Sequence, residues 1–202
     1  MSVIITKENT WDETNYLESL LNGPNFTTLI FKKLSNLSSS AYEIGLVKVE
    51  NDKIVDYYYS NFKPIRPVYK KLQSLIPIDI KNKIDDAPSF DTIFPKIKHF
   101  FDSRVVITPT MHPEPSNLNY ICDYYKIDIA PLIFTFTGTE KSVDVESVVI
   151  GHKQNQLKNS LDLATEAAIS RINNKDYYTK IINKSGVELK IILDSEIKSK
   201  KP

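Results

Sequence analysis

Cysteine occurs once in the 202 residues, at Cys122, which excludes a disulfide framework and any cysteine-rich zinc site. A lone thiol in such a chain reads as a buried structural group in a reducing compartment. Net charge is nearly absent as well: 26 Lys and Arg stand against 25 Asp and Glu, a formal +1. No global field therefore favours nucleic acid or a membrane surface, and any such patch must be local. No apolar run approaches the length needed to cross a bilayer, and the opening MSVIITKENTWDE lacks a basic segment followed by a long apolar one. A cytoplasmic location, with no membrane partner, is the expectation. A Gly-rich phosphate loop, a Gly-x-Ser-x-Gly elbow and His-Glu-x-x-His are missing too. What remains, 41% hydrophobic and 25% charged, falls in the globular range and suffices for one domain with appendages.

Asn9 or Thr10 can cap a helix from Trp11 to Leu21 that ends at Asn22-Gly23-Pro24. Three β-rich segments follow, Phe26 to Lys33, Ala41 to Glu50 and Lys53 to Phe62, the last two joined by the hairpin signal Asn51-Asp52. An irregular stretch through Ile76-Pro77-Ile78 leads to a helix capped by Ser89. In it Phe90, Ile93, Phe94, Ile97, Phe100 and Phe101 share one face, and Pro95 should bend it. Then come a strand at Val105 to Thr108, a proline-studded loop TPTMHPEP and a helix over Asn117 to Tyr125 capped by Ser116. A strand at Leu132 to Phe136, helices around Val143 to Ile150 and Asn159 to Ile172, and a β-like run Val187 to Leu193 complete the pattern. A three-stranded antiparallel meander followed by alternating helix and strand describes an α/β protein, a mixed sheet with helices on both faces. The expected division is 1–25, an N-terminal extension with a short helix; 26–172, the main domain; and 173–202, a C-terminal extension with a mobile tail.

The stretches AYEIGLVKVENDKIVDYYYSNFKPIRP, DDAPSFDTIFPKIKHFF and VVITPTMHPEPSNLNYICDYYKI, in that order, resemble the DnaQ-like 3′-to-5′ exonuclease family from roughly Phe26 to Ile172. The resemblance implies a ribonuclease H-like fold and removal of nucleotides from a 3′ end by two divalent metals held by four carboxylates. Such chemistry needs cations that activate water and hold charge on the leaving oxygen, typically a pair about 3.5–4 Å apart. Hard Mg²⁺ or Mn²⁺ takes carboxylate oxygens, and an Asp-x-Glu on a strand puts two of them on one face.

In this chain the expected acids are missing. Counting back without gaps from Glu43-Ile44-Gly45 puts Ile30 and Lys32 at the family's two acidic positions, and a one-residue shift puts Phe31 and Lys33 there; no Asp or Glu lies between Ser19 and Tyr42 in any case. In TPTMHPEP the only carboxylate is Glu114, which fits the second motif's Asp if one residue is inserted before Leu118. In LKNSLDLATEAA, Leu163 falls where the last metal-binding Asp belongs. Asp162 is one residue early, so it should turn away by about 100 degrees.

These readings lead to a catalytically inactive exonuclease-like domain that needs no cofactor and serves as a protein-interaction or nucleic-acid-binding module. The partner would be an unidentified protein or a nucleic-acid end, and a homodimer is compatible with the sequence. Lys32 and Lys33 are expected chiefly to snorkel to water; the sharper reading sets one ammonium in the former metal site beside an acid such as Glu114. Tyr58 could stack on a base, although core packing ranks ahead for the Tyr57 to Tyr59 run. Lys70 and Lys71 could hold phosphates, although scattered lysines are usually solvated surface. The alternative is a divergent nuclease using Glu43, Glu114 and Asp162 around Mg²⁺ or Mn²⁺.

Overall fold

The computed structural model describes residues 23–66, 76–108, 113–130, 132–136, 158–173 and 190–192. The expected helices at Trp11 to Leu21 and Val143 to Ile150, and Lys70 and Lys71, lie outside the described residues. Six strands form one sheet: β1 (Phe26–Lys33), β2 (Ala41–Glu50), β3 (Lys53–Asn61), β4 (Val105–Thr108), β5 (Leu132–Phe136) and β6 (Lys190–Ile192). Their order is β3-β2-β1-β4-β5-β6. β1, β2 and β3 run antiparallel, β4 and β5 continue parallel to β1, and β6 returns antiparallel to β5. An antiparallel meander joined at its first strand to parallel strands, with helices on both faces, is the ribonuclease H-like arrangement.

Alternation along β1 sorts its side chains to two cores. Phe26 and Ile30 join Val47, Val49, Val105 and Ile107 beneath Ala164 and Ala168 of helix α4 (Ser160–Asn173). Leu29 and Phe31 join Ile44, Leu46 and the phenylalanines of helix α2 (Phe90–Ile97) on the other face, where Leu118, Ile121 and Cys122 of α3 (Pro113–Tyr125) also pack. Even the polar β1 side chains obey the rule: Thr28 Oγ1 donates to the Ala164 carbonyl at 2.8 Å, and Thr27 Oγ1 donates to the Phe100 carbonyl.

The hairpin turn has Asn51 and Asp52 at φ 52° and 60°, the left-handed pair that matches strand twist. Three local expectations need correction. Helix α3 starts at Pro113, not after Ser116, because proline lacks only an N–H that the first turn leaves without an intrahelical acceptor; Glu114 thereby enters the helix. The helix after Ser89 ends at Ile97 and tightens into a 3-10 turn over Lys98–Phe101 rather than bending through. The stretch taken as irregular contains a short exposed helix α1, Ile78–Asp85.

At Gly45 the first turn of α4 comes onto the sheet backbone to backbone. A Cβ there would overlap the Ser160 carbonyl and the Leu161 nitrogen, backbone atoms that cannot swing aside. Gly45→Ala is expected to displace the start of α4 and lower stability by about 1–3 kcal/mol, the usual range for overpacking, read from denaturant unfolding. Burial pushes the Cys122 thiol up to about 12. The native chain should therefore resist a disulfide reagent at neutral pH and react fully once unfolded; rapid native labelling would contradict this packing.

Candidate functional site

Side chains of the α4 face of the sheet converge on Glu43. Its antiparallel partner across the ladder is Lys32, and Gly45 two residues on admits the helix N-terminus. Glu43 is 3% exposed, a position a carboxylate holds only when its charge is answered. The Ser160 N–H donates to Oε1 at 2.7 Å, Lys32 Nζ lies 3.5 Å from the same oxygen, and the Tyr59 hydroxyl donates to Oε2 at 3.2 Å. One backbone donor, one ammonium and one phenol, from α4, β1 and β3, thus surround a single acid. The N-terminal end of α4 adds its positive dipole. Burial, with the Glu43 charge, raises the Tyr59 phenol above its ordinary range and keeps it a donor. Burial chiefly, then Glu43, raises the neighbouring Tyr42 as well.

The rest of the α4 N-terminus is closed by its own sequence. Asn159 and Asp162 cap each other: the Asp162 N–H donates to Asn159 Oδ1 at 2.8 Å, and the Asn159 N–H donates to Asp162 Oδ2 at 3.1 Å. Asp162 is exposed and occupied in that cap, whereas Leu163 packs with Leu161 against the cluster that contains Ile30. Between β1 and α4 the structure therefore packs together Ile30 and Leu163, two positions at which the family resemblance places ligands.

Lys33 lies past an irregularity in the β1–β2 ladder and pairs with Ala41. It turns to the opposite face from Lys32. Its ammonium bonds the Asn36 carbonyl at 3.4 Å, and burial lowers its pKa more than the Glu114 charge raises it. Glu114 and Asn117 are buried one helical turn apart on α3, near that face. The two consecutive lysines thus serve different acids, Lys32 with Glu43 and Lys33 within the field of Glu114. Tyr58, a candidate for base stacking for which core packing ranks ahead, packs against the core with its ring edge-on to Phe100 at 6.5 Å.

Glu43, Glu114 and Asp162 do not gather into one cluster, and no group of three or more His, Cys, Asp or Glu able to hold a metal occurs among the described residues. The donor set at Ile30, Lys32 and Leu163 does not suit a pair of divalent cations. Two apolar side chains and an ammonium offer no ligand oxygen, and the one acid beside them is already taken by three donors. Sequence reading missed Tyr59 and the Ser160 N–H as partners of Glu43. The available signal was Gly45, a glycine inside a run of strand formers, which marks a close backbone approach.

No family model matches the chain. Over 106 residues, 52% of its length, it is 34% identical to the PolC-type DNA polymerase III of Caldanaerobacter subterraneus subsp. tengcongensis, of which it spans 7%. Exonuclease X, solved in complex with 5′ overhanging duplex DNA, superposes with a TM-score of 0.41 at 16% identity, covering 80% of this chain and 93% of its own. A 3′-exonuclease solved in a study of 3′-end specific recognition of a histone mRNA stem-loop gives 0.47 at 13% identity, covering 85% of this chain and 71% of its own. The sequence similarity thus ties about half of this chain to a short segment of a DNA polymerase, and the strand order ties it to the ribonuclease H-like fold.

Proposed function

We propose that this chain is an exonuclease-like domain that has lost the hydrolytic reaction and acts as a protein-interaction module. The observation that carries the reading is the Lys32–Glu43 pair. An ammonium from the first strand sits where the family resemblance calls for a metal-binding acid, and it neutralises the acid across the ladder instead of sharing that acid with a cation. Ile30 and Leu163, packed in the apolar cluster beneath α4, support the same reading. The likeness to part of a DNA polymerase supports descent from a nucleic-acid-processing enzyme. The balanced charge favours a protein partner over a nucleic-acid end, because phosphate binding draws on net positive surface.

Incubation with labelled single- and double-stranded DNA and RNA in Mn²⁺ is expected to leave every substrate intact. Titration of Mg²⁺ or Mn²⁺ should leave the melting temperature unchanged, since a cation that bound only the folded state would raise it. Cleavage that vanishes in Glu114→Ala would overturn the proposal in favour of the divergent nuclease. Salt-sensitive retention on an oligonucleotide column would move the partner from protein to nucleic acid.

Lys32→Met should cost about 1–2 kcal/mol, between the values for exposed and fully buried pairs, because the ammonium is one-fifth exposed. Lys32→Glu should cost more, by setting like charges across the ladder. Denaturant midpoints in the order wild type, Lys32→Met, Lys32→Glu would fit the stated role of Lys32. Equal midpoints would show that Glu43 does not need the ammonium.

A further inference from the structure

Among the described residues strand β3 is one edge of the sheet, and it carries exposed apolar and aromatic side chains, Ile54, Val55, Tyr57 and Tyr59, Tyr57 at 68%. Such an edge is a template for another strand. Which backbone groups it offers follows from the ladder. The Phe62 N–H donates to the Tyr42 carbonyl, so the pair Tyr42–Phe62 is a hydrogen-bonded one. By alternation Ser60, Tyr58 and Asp56 bond inward to β2, and Asn61, Tyr59 and Tyr57 present their N–H and C=O groups outward.

Two of those outward groups are already taken by the residue just before them. The Tyr57 N–H donates to Asp56 Oδ1 at 2.8 Å, and the Ser60 hydroxyl donates to the Asn61 carbonyl at 2.9 Å. Asp56 is held in place from the other side, its Oδ2 lying 2.8 Å from His99 Nε2. The His99 ring in turn lies against Phe100, with centroids 4.5 Å apart.

We propose that Asp56 is a latch on the β3 edge, with His99 as its anchor, and that the strand it keeps away is β3 of a second copy of this chain. A second copy fits because an antiparallel partner related by a twofold axis offers the same outward run, so that Tyr57 and Tyr59 of one chain meet Tyr59 and Tyr57 of the other. That pairing needs the Tyr57 N–H, the donor that Asp56 occupies. The apolar side chains of the two strands would then cover one another across the twofold.

Sedimentation analysis of the full chain over a range of micromolar concentrations tests the latch. The wild type should remain monomeric. Asp56→Val should double in mass as concentration rises, with slowed hydrogen exchange at the Tyr57 and Tyr59 amides. Asp56→Asn, which keeps an acceptor oxygen, should stay monomeric. Asp56→Val/Tyr57→Pro should lose the dimer, because proline removes the outward donor and is tolerated on an edge. Asp56→Ala gives the same reading should valine prevent folding. A monomeric Asp56→Val and Asp56→Ala, a dimer without protection at those amides, or a wild type that already pairs through β3 would each overturn the proposal. An added tyrosine-rich peptide of the β3 sequence that bound wild type and Asp56→Val equally would overturn it too.

Discussion

The close approach of the α4 N-terminus to β2 at Gly45 is the constraint on which the rest of this structure depends. Removing a side chain at that one position lets a helix backbone settle on a strand, and the first free N–H of the helix then points at the next acid along the same strand face. A buried carboxylate costs several kcal/mol unless it is paired and hydrogen-bonded. Here the compensation comes from three separate elements, so burying Glu43 requires β1, β3 and α4 to be in place together. The acid therefore ties elements that are far apart in sequence, and the angle of α4 on the sheet fixes which of its residues meet Ile30.

Strand parity separates the chemistry of this face from the packing of the other. Side chains two apart on β1 look at α4, and those between them look at α2 and α3. The positions that the ungapped family resemblance sets at an acidic pair are Ile30 and Lys32, and both suit this surface by other means. Isoleucine extends the apolar cluster, and lysine supplies to Glu43 the positive charge that a cation would otherwise bring to an acidic site. Each of the two side chains satisfies a local requirement of burial or charge, in keeping with the sheet and helices around it.

Much of this was legible in the chain itself. The Asn51-Asp52 turn, the alternation in FTTLIFKK and AYEIGLVKVE, and the face formed by Phe90, Ile93, Phe94 and Ile97 are local patterns, and the elements they predict are present. The start of α3 was not legible, since Pro113 and Pro115 read as loop residues unless the first turn is known to spare their missing donors. At the site, the identities of Ile30, Lys32 and Leu163 could be read, but the partner of Lys32 could not. Glu114 was the acid within sight of the motif. The pairing with Glu43 depends on the register between β1 and β2, and the bond from Ser160 spans 117 positions. Local spacing carries no record of either.

β3 joins these features. Its α4 face lends the Tyr59 hydroxyl to Glu43, its opposite face packs Tyr58 beside Phe100, and its inner edge completes the ladder with β2. Only the outer edge has no strand beside it among the described residues, and there the side chains of Asp56 and Ser60 turn back onto the backbone. The Asp56 that covers the Tyr57 donor also reaches His99 on the 3-10 turn after α2, so the element that packs under the sheet also holds the group that closes its rim. Tyr58 and Tyr59 are held where they stand by Phe100 and Glu43, so part of the strand's aromatic character is fixed by the fold. Covering its backbone with short polar side chains is the solution that leaves those contacts intact.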